Sequence, residues 1–201
     1  MRDPACQEEA LKAYATLNYE LQHFDKAEQA YRQLIERTRD AATRQDSFLG
    51  LMRAAYGAKD YPEVIRAAQM LGTREAHFLM AKALRTQGER ERASVLFEEL
   101  AASPNDAYGA ESAYTLIQDA FDRGDFNEVQ EAVYAFSDSG SGQVYWMARC
   151  FIVLGDAFAA RGDKMQAEAT YESILEGYHP AGEGDDILDQ VRSRINQLKS
   201  E

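Results

Sequence analysis

Three observations predict an all-α fold of αα-hairpins placed in series and ended by an amphipathic helix. Five segments align in one register: LQHFDKAEQAYRQLI, GAKDYPEVIRAAQML, TQGERERASVLFEEL, DRGDFNEVQEAVYAF and ARGDKMQAEATYESI. Each joins two stretches of helical periodicity across a short polar turn, the pattern of an αα-hairpin. No run of alternating β-branched residues bounded by turn signals occurs. The composition agrees: 45% hydrophobic and 28% charged residues mark a folded chain, and only 4 prolines and 13 glycines punctuate it.

The register rests on a small residue three positions after the residue that follows each turn. These are Ala27, Val64, Ala93, Val129 and Ala167, at spacings of 37, 29, 36 and 38. Four residues on come Tyr31, Ala68, Phe97, Val133 and Tyr171. Three further lie Leu34, Leu71, Leu100, Phe136 and Ile174. Small, +4 and +7 share one helical face.

The first pair is predicted over 5–38, with helices 5–21 and 24–38. The second, 42–71, comprises 42–57, with Phe48, Leu51, Met52 and Ala55 on one stripe, and 61–71 after a Lys-Asp turn. Its spacing to the next unit is short, so the connection is tight around Gly72. The third, 73–102, comprises 73–87 and 90–102; the fourth, 106–138, comprises 106–122 and 126–138. The fifth, 142–178, has helices 142–161 and 164–177, and Trp146, Cys150, Phe151, Leu154, Gly155 and Phe158 form its first stripe. Gly88, Gly124 and Gly162 suit helix C-termini, where a left-handed residue is needed. Asp125 and Asp163 suit the caps that follow. The hairpins thus fill 1–182. The remaining 183–201 holds a helix over 185–199, with Ile187, Leu188, Val191, Ile195 and Leu198 on one side, which reads as a cap over the last hairpin.

These residues resemble the tetratricopeptide repeat family, with its period of about 34 residues. The last unit carries the fullest match: Leu154-Gly155, Phe158, the Gly162-Asp163 turn, Ala167, Tyr171 and the closing Pro180. Elsewhere the glycine slot holds Ala15, Met52, Ala81 and Ile117, which implies wider or tilted packing at Met52 and Ile117. The resemblance covers about 5–180 and implies a superhelical solenoid. No polar cap precedes the first hairpin, so the chain looks like the C-terminal part of a longer bacterial protein of this type.

What the resemblance implies for function is a scaffold that binds a protein or peptide on the concave face. The residues it places there include Tyr19, Arg53, Tyr56, Phe78, Lys82, Arg85, Tyr114, Gln118 and Phe121, beside Lys12, Thr16, Leu49, Ile152, Asp156 and Ala159. Rings beside Arg or Lys are what peptide hot spots favour. The carboxylate clamp of chaperone-binding members is incomplete: Lys12 fits, but Thr16 and Arg53 stand where Asn is expected and Phe78 replaces a Lys. The alternative is a helical accessory domain of a larger enzyme or regulator. Homodimerisation through exposed repeat ends is a further expectation.

No catalytic site is expected. His23, His77 and His179 are scattered, without metal-ligand spacing, and no phosphate loop, nucleophile elbow or dinucleotide motif occurs. No cofactor is expected. A net charge of −12 argues against nucleic acid and anionic membrane surfaces as partners. Cys6 and Cys150 form neither a disulfide framework nor a zinc signature, and Cys150 reads as a buried thiol. MRDPACQEEA has no apolar signal core, and no stretch is long enough to span a membrane. The compartment stays open: cytoplasm, or bacterial envelope or periplasm if a signal lies upstream.

Overall fold

The computed structural model describes residues 4–180, 182 and 184–200; positions 183 and 201, which bound the predicted terminal segment, lie outside them. Among the described residues there are eleven α-helices and no strand. They are α1 (Pro4–Glu20), α2 (Phe24–Arg37), α3 (Ala41–Ala58), α4 (Tyr61–Ala68), α5 (Arg74–Thr86), α6 (Arg90–Ala101), α7 (Ala107–Asp122), α8 (Phe126–Asp138), α9 (Val144–Ala160), α10 (Lys164–Gly177) and α11 (Ile187–Ser200). Every helix expected from periodicity is present. The largest difference is at α4, which stops at Ala68 because the amides of Met70 and Leu71 tighten onto the carbonyls three residues back. None is long and apolar enough to cross a membrane.

The chain divides into two compact units, Met1–Leu96 and Phe97–Glu201. In the first, each of α1 to α5 packs on its neighbour in the chain, and α1 touches α3 as α3 touches α5. In the second, α7 to α11 repeat that arrangement, with α7 against α9 and α9 against α11.

Five turns have one geometry. Gln22, Lys59, Gly88, Gly124 and Gly162 all have positive φ, from 58° to 85°. The amide after each donates to the carbonyl five residues back: His23 to Asn18, Asp60 to Ala55, Glu89 to Leu84, Asp125 to Ala120 and Asp163 to Phe158, at 2.8–3.0 Å. That bond, closed through a left-handed residue, is the Schellman stop of a helix. The next helix begins at once. Asp60, Asp125 and Asp163 accept from the amides of Glu63, Glu128 and Gln166, which stabilises the helix N-terminus.

The aligned positions supply the core. Ala27, Val64, Ala93, Val129 and Ala167 are at most 1% exposed, and all ten aligned residues at +4 and +7 are buried too. The slot of the Leu-Gly glycine is buried in every unit, at Ala15, Met52, Ala81, Ile117 and Gly155. Gly155 shows why size matters there. A Cβ on it would lie 2.3 Å from Cε1 of Tyr171, itself 1% exposed. Cys150 is a free buried thiol whose pKa is pushed far up by burial.

Two ionic nodes tie elements together. In the first unit Arg32 on α2 donates at 3.0 Å to Glu28 and to Glu63 on α4, and Arg66 donates at 2.6 Å to the same Glu63 oxygen. Burial disfavours a charged Glu63, but the hydrogen bonds from Arg66 and Arg32 outweigh it and its pKa falls. Burial dominates at Glu28 and raises its pKa, and its Oε1 is buried with no partner among the described residues. In the second unit Asp156 on α9 accepts from the Tyr171 hydroxyl of α10 at 2.6 Å, and from Nε and Nη2 of Arg194 on α11 at 2.7 and 3.0 Å.

Candidate functional site

In the first unit, residues expected on a binding face converge. Lys12, Thr16 and Tyr19 of α1 and Leu49 and Arg53 of α3 line one hollow of about 400 Å³, with Tyr31 of α2 also in its wall. A Cβ at Gly50 would fall 2.3 Å from the Tyr31 ring, so glycine lets that ring lie against α3. Arg53 is held in place by a two-pronged bond to Glu75, both contacts at 2.6 Å. Lys12 lies 3.7 Å from Asp46 and stays largely exposed. The hollow is thus lined by two tyrosine rings, the hydroxyls of Thr16 and Ser47, the cations Lys12 and Arg53, and the acids Glu20 and Asp46.

The other expected residues divide by what they touch. Tyr19, Tyr56 and Phe121 each stand in the last turn of a first helix and pack on the ring that opens the second: Phe24 at 5.9 Å, Tyr61 at 6.3 Å and Phe126 at 5.7 Å. A tight turn brings these residues, five apart in sequence, side by side, so much of each ring serves the hairpin. Phe78 corrects the expectation: it is only 5% exposed, and the Lys82 ammonium lies 5.0 Å over its ring. It is a packing residue because its face of α5 is covered. Arg85 is half-buried in the last turn of α5, and Gln118 donates to Asp122 one turn on. In the fifth hairpin Ile152 is 3% exposed and so also belongs to the core, and Asp156 is taken by Arg194 and Tyr171.

Tyr114 belongs to a cluster whose other members were not anticipated. Its ring lies 5.5 Å from Trp146, which lies 5.2 Å from Tyr145. Arg149, one turn after Tyr145 on α9, extends its guanidinium among all three rings. The sequence signal was Tyr145-Trp146 followed by Arg149, three residues before the assigned groove position Ile152.

Tyr14 and Leu17 on α1, and Leu21 in the turn that follows it, are about half exposed. Among the described residues no group of three or more His, Cys, Asp or Glu could hold a metal ion.

These features define an all-helical protein of packed antiparallel hairpins with two aromatic-and-cation surfaces, one in each unit. No family model and no curated protein matches the chain. Among solved structures it is similar to the crystal structure of BtubC (BKLC) from P. vanneervenii. The TM-score is 0.62 at 18% identity, covering 87% of this chain and 83% of that one. At that identity the likeness is one of fold.

Proposed function

We propose that the chain is a non-catalytic protein-interaction scaffold of tetratricopeptide type, which holds a partner segment in the hollow between α1 and α3. One observation carries this reading. Five residues that the family resemblance assigns to a binding face, on two helices about 40 residues apart, line a single hollow. Its lining combines Tyr19, Tyr31 and Leu49, which bury area at low entropic cost, with Thr16, Lys12 and Asp46, which offer polar pairing to groups on a peptide.

The test uses Thr16→Trp in the full chain. Thr16 is exposed on the wall of the hollow, so an indole there fills space without entering the core. Proteins captured by the wild type are identified, and direct binding is measured with the purified partner. The expected result is a loss of affinity of about tenfold or more with an unchanged melting temperature. Equal affinity for wild type and variant would refute the hollow as the docking place.

A further inference from the structure

The Arg149 guanidinium has hydrogen-bond partners but, among the described residues, no counter-ion. Nη1 donates to the Tyr145 hydroxyl at 3.0 Å and Nη2 to the Tyr114 hydroxyl at 3.1 Å. Its central carbon is 4.7 Å from the Tyr114 ring centre and 5.8 Å from those of Tyr145 and Trp146. Among the described residues it forms no ion pair, although the chain has 34 acidic residues against 22 Lys and Arg. Asp156, the acidic residue of α9, is occupied by Arg194 and Tyr171.

A donor inventory shows what is missing. Of the five N–H groups of a guanidinium, two are used here, which leaves three. Each phenol oxygen accepts from Arg149 and so keeps its own O–H to give. The cluster thus presents N–H and O–H donors that no carboxylate among the described residues satisfies. All four side chains are part-exposed, so the site can be reached from solvent. One positive charge matches one carboxylate. A phosphate ester, with about two charges, would leave an excess beside a chain of net charge −12.

We propose that Tyr114, Tyr145, Trp146 and Arg149 form a docking site for a single carboxylate carried by a peptide segment of the partner. The guanidinium fork and the two hydroxyls hold the oxygens, and the indole covers the apolar part of the acidic residue. This rests on the protein-binding reading above and names the chemistry that the second unit selects.

Trp146 is the one tryptophan of the chain, so its emission reports on this cluster directly. The full chain is titrated with Ac-Leu-Glu-Leu-NH2, with its Gln counterpart and with sodium phosphate. The Glu peptide is expected to give a saturable change, about tenfold tighter than the Gln peptide. Arg149→Gln should abolish that preference, and Tyr114→Phe, which keeps the ring and removes one donor, should weaken the Glu peptide about threefold. Melting temperatures identify folded variants; if Arg149→Gln does not fold, Tyr114→Phe decides. Equal response to the Glu and Gln peptides, no saturation, or tighter binding of phosphate would overturn the proposal. If the peptides fail while Thr16→Trp still loses the partner, the scaffold reading stands and this site falls. If the preference appears while Thr16→Trp keeps full affinity, the hollow falls and this site stands.

Discussion

Replacing Lys59 by glycine should stabilise the protein. Lys59 has φ 61° and ψ 24°, a conformation that costs a residue with a Cβ about 1–2 kcal/mol. Gly88, Gly124 and Gly162 hold the equivalent position in three other turns without that cost. Glycine also gives the unfolded chain more freedom, which returns about 0.5–1 kcal/mol. The net expectation is a gain of about 0.5–1 kcal/mol. Lys59 is exposed, and its side chain forms no hydrogen bond or ion pair with the described residues. Gln22, at φ 58°, is in the same position, and the two lie in different turns, so the double variant should gain about 1–2 kcal/mol. For a chain of this size that is a rise in Tm of about 2–8 °C. Thermal unfolding followed by circular dichroism measures it, with Lys59→Ala as a near-neutral control that retains the Cβ. A Lys59→Gly variant no more stable than wild type, alongside a Gly124→Ala variant that loses nothing, would refute the view that these turns are strained by their Cβ atoms.

Other expectations concern the core and the first ionic node. Gly155→Ala sets a methyl 2.3 Å from the Tyr171 ring, which is enclosed and anchored by its hydroxyl to Asp156, so destabilisation of about 1–3 kcal/mol is expected. An unchanged denaturation midpoint would show that the ring can yield. Glu28 has its pKa raised in the fold, so the unfolded chain loses this proton first as pH rises. The group therefore costs stability above its unfolded value, and that cost is absent in acid. Relative to wild type, Glu28→Gln should gain stability progressively as pH rises from about 4 towards neutrality. A difference between the two proteins that does not change with pH would contradict this assignment.

The helical framework was legible because burial recurs with helical period. Once Ala27, Val64, Ala93, Val129 and Ala167 are aligned, the +4 and +7 positions follow, and all of them are buried. Three turns announced themselves through glycine. Gln22 and Lys59 adopt the same left-handed geometry, but no property of glutamine or lysine signals it. The hollow was legible because Lys12, Thr16, Tyr19, Leu49 and Arg53 lie on the first helices of successive hairpins. Phe78 was not, since register says which side of α5 a ring occupies and not whether that side is covered. The Arg149 cluster was missed for a related reason. Trp146 falls on the apolar stripe of α9, which hides its ring contacts with Tyr114 and Tyr145.

The carboxylate of Asp156 also sets the smallest piece of this chain's C-terminal half that can be cut out without damage. It is the shared acceptor of α9, α10 and α11. A chain ended at the loop before α11 would uncover the apolar surface that Ile187, Val191 and Ile195 now shield. It would also strip a part-buried anion of its cation, leaving one tyrosine hydroxyl to hold it. Solubilising substitutions could mend the first fault but not the second. A shortened version would need Asp156 neutralised as well, so the final helix is an electrical component of the hairpin before it and not simply its lid.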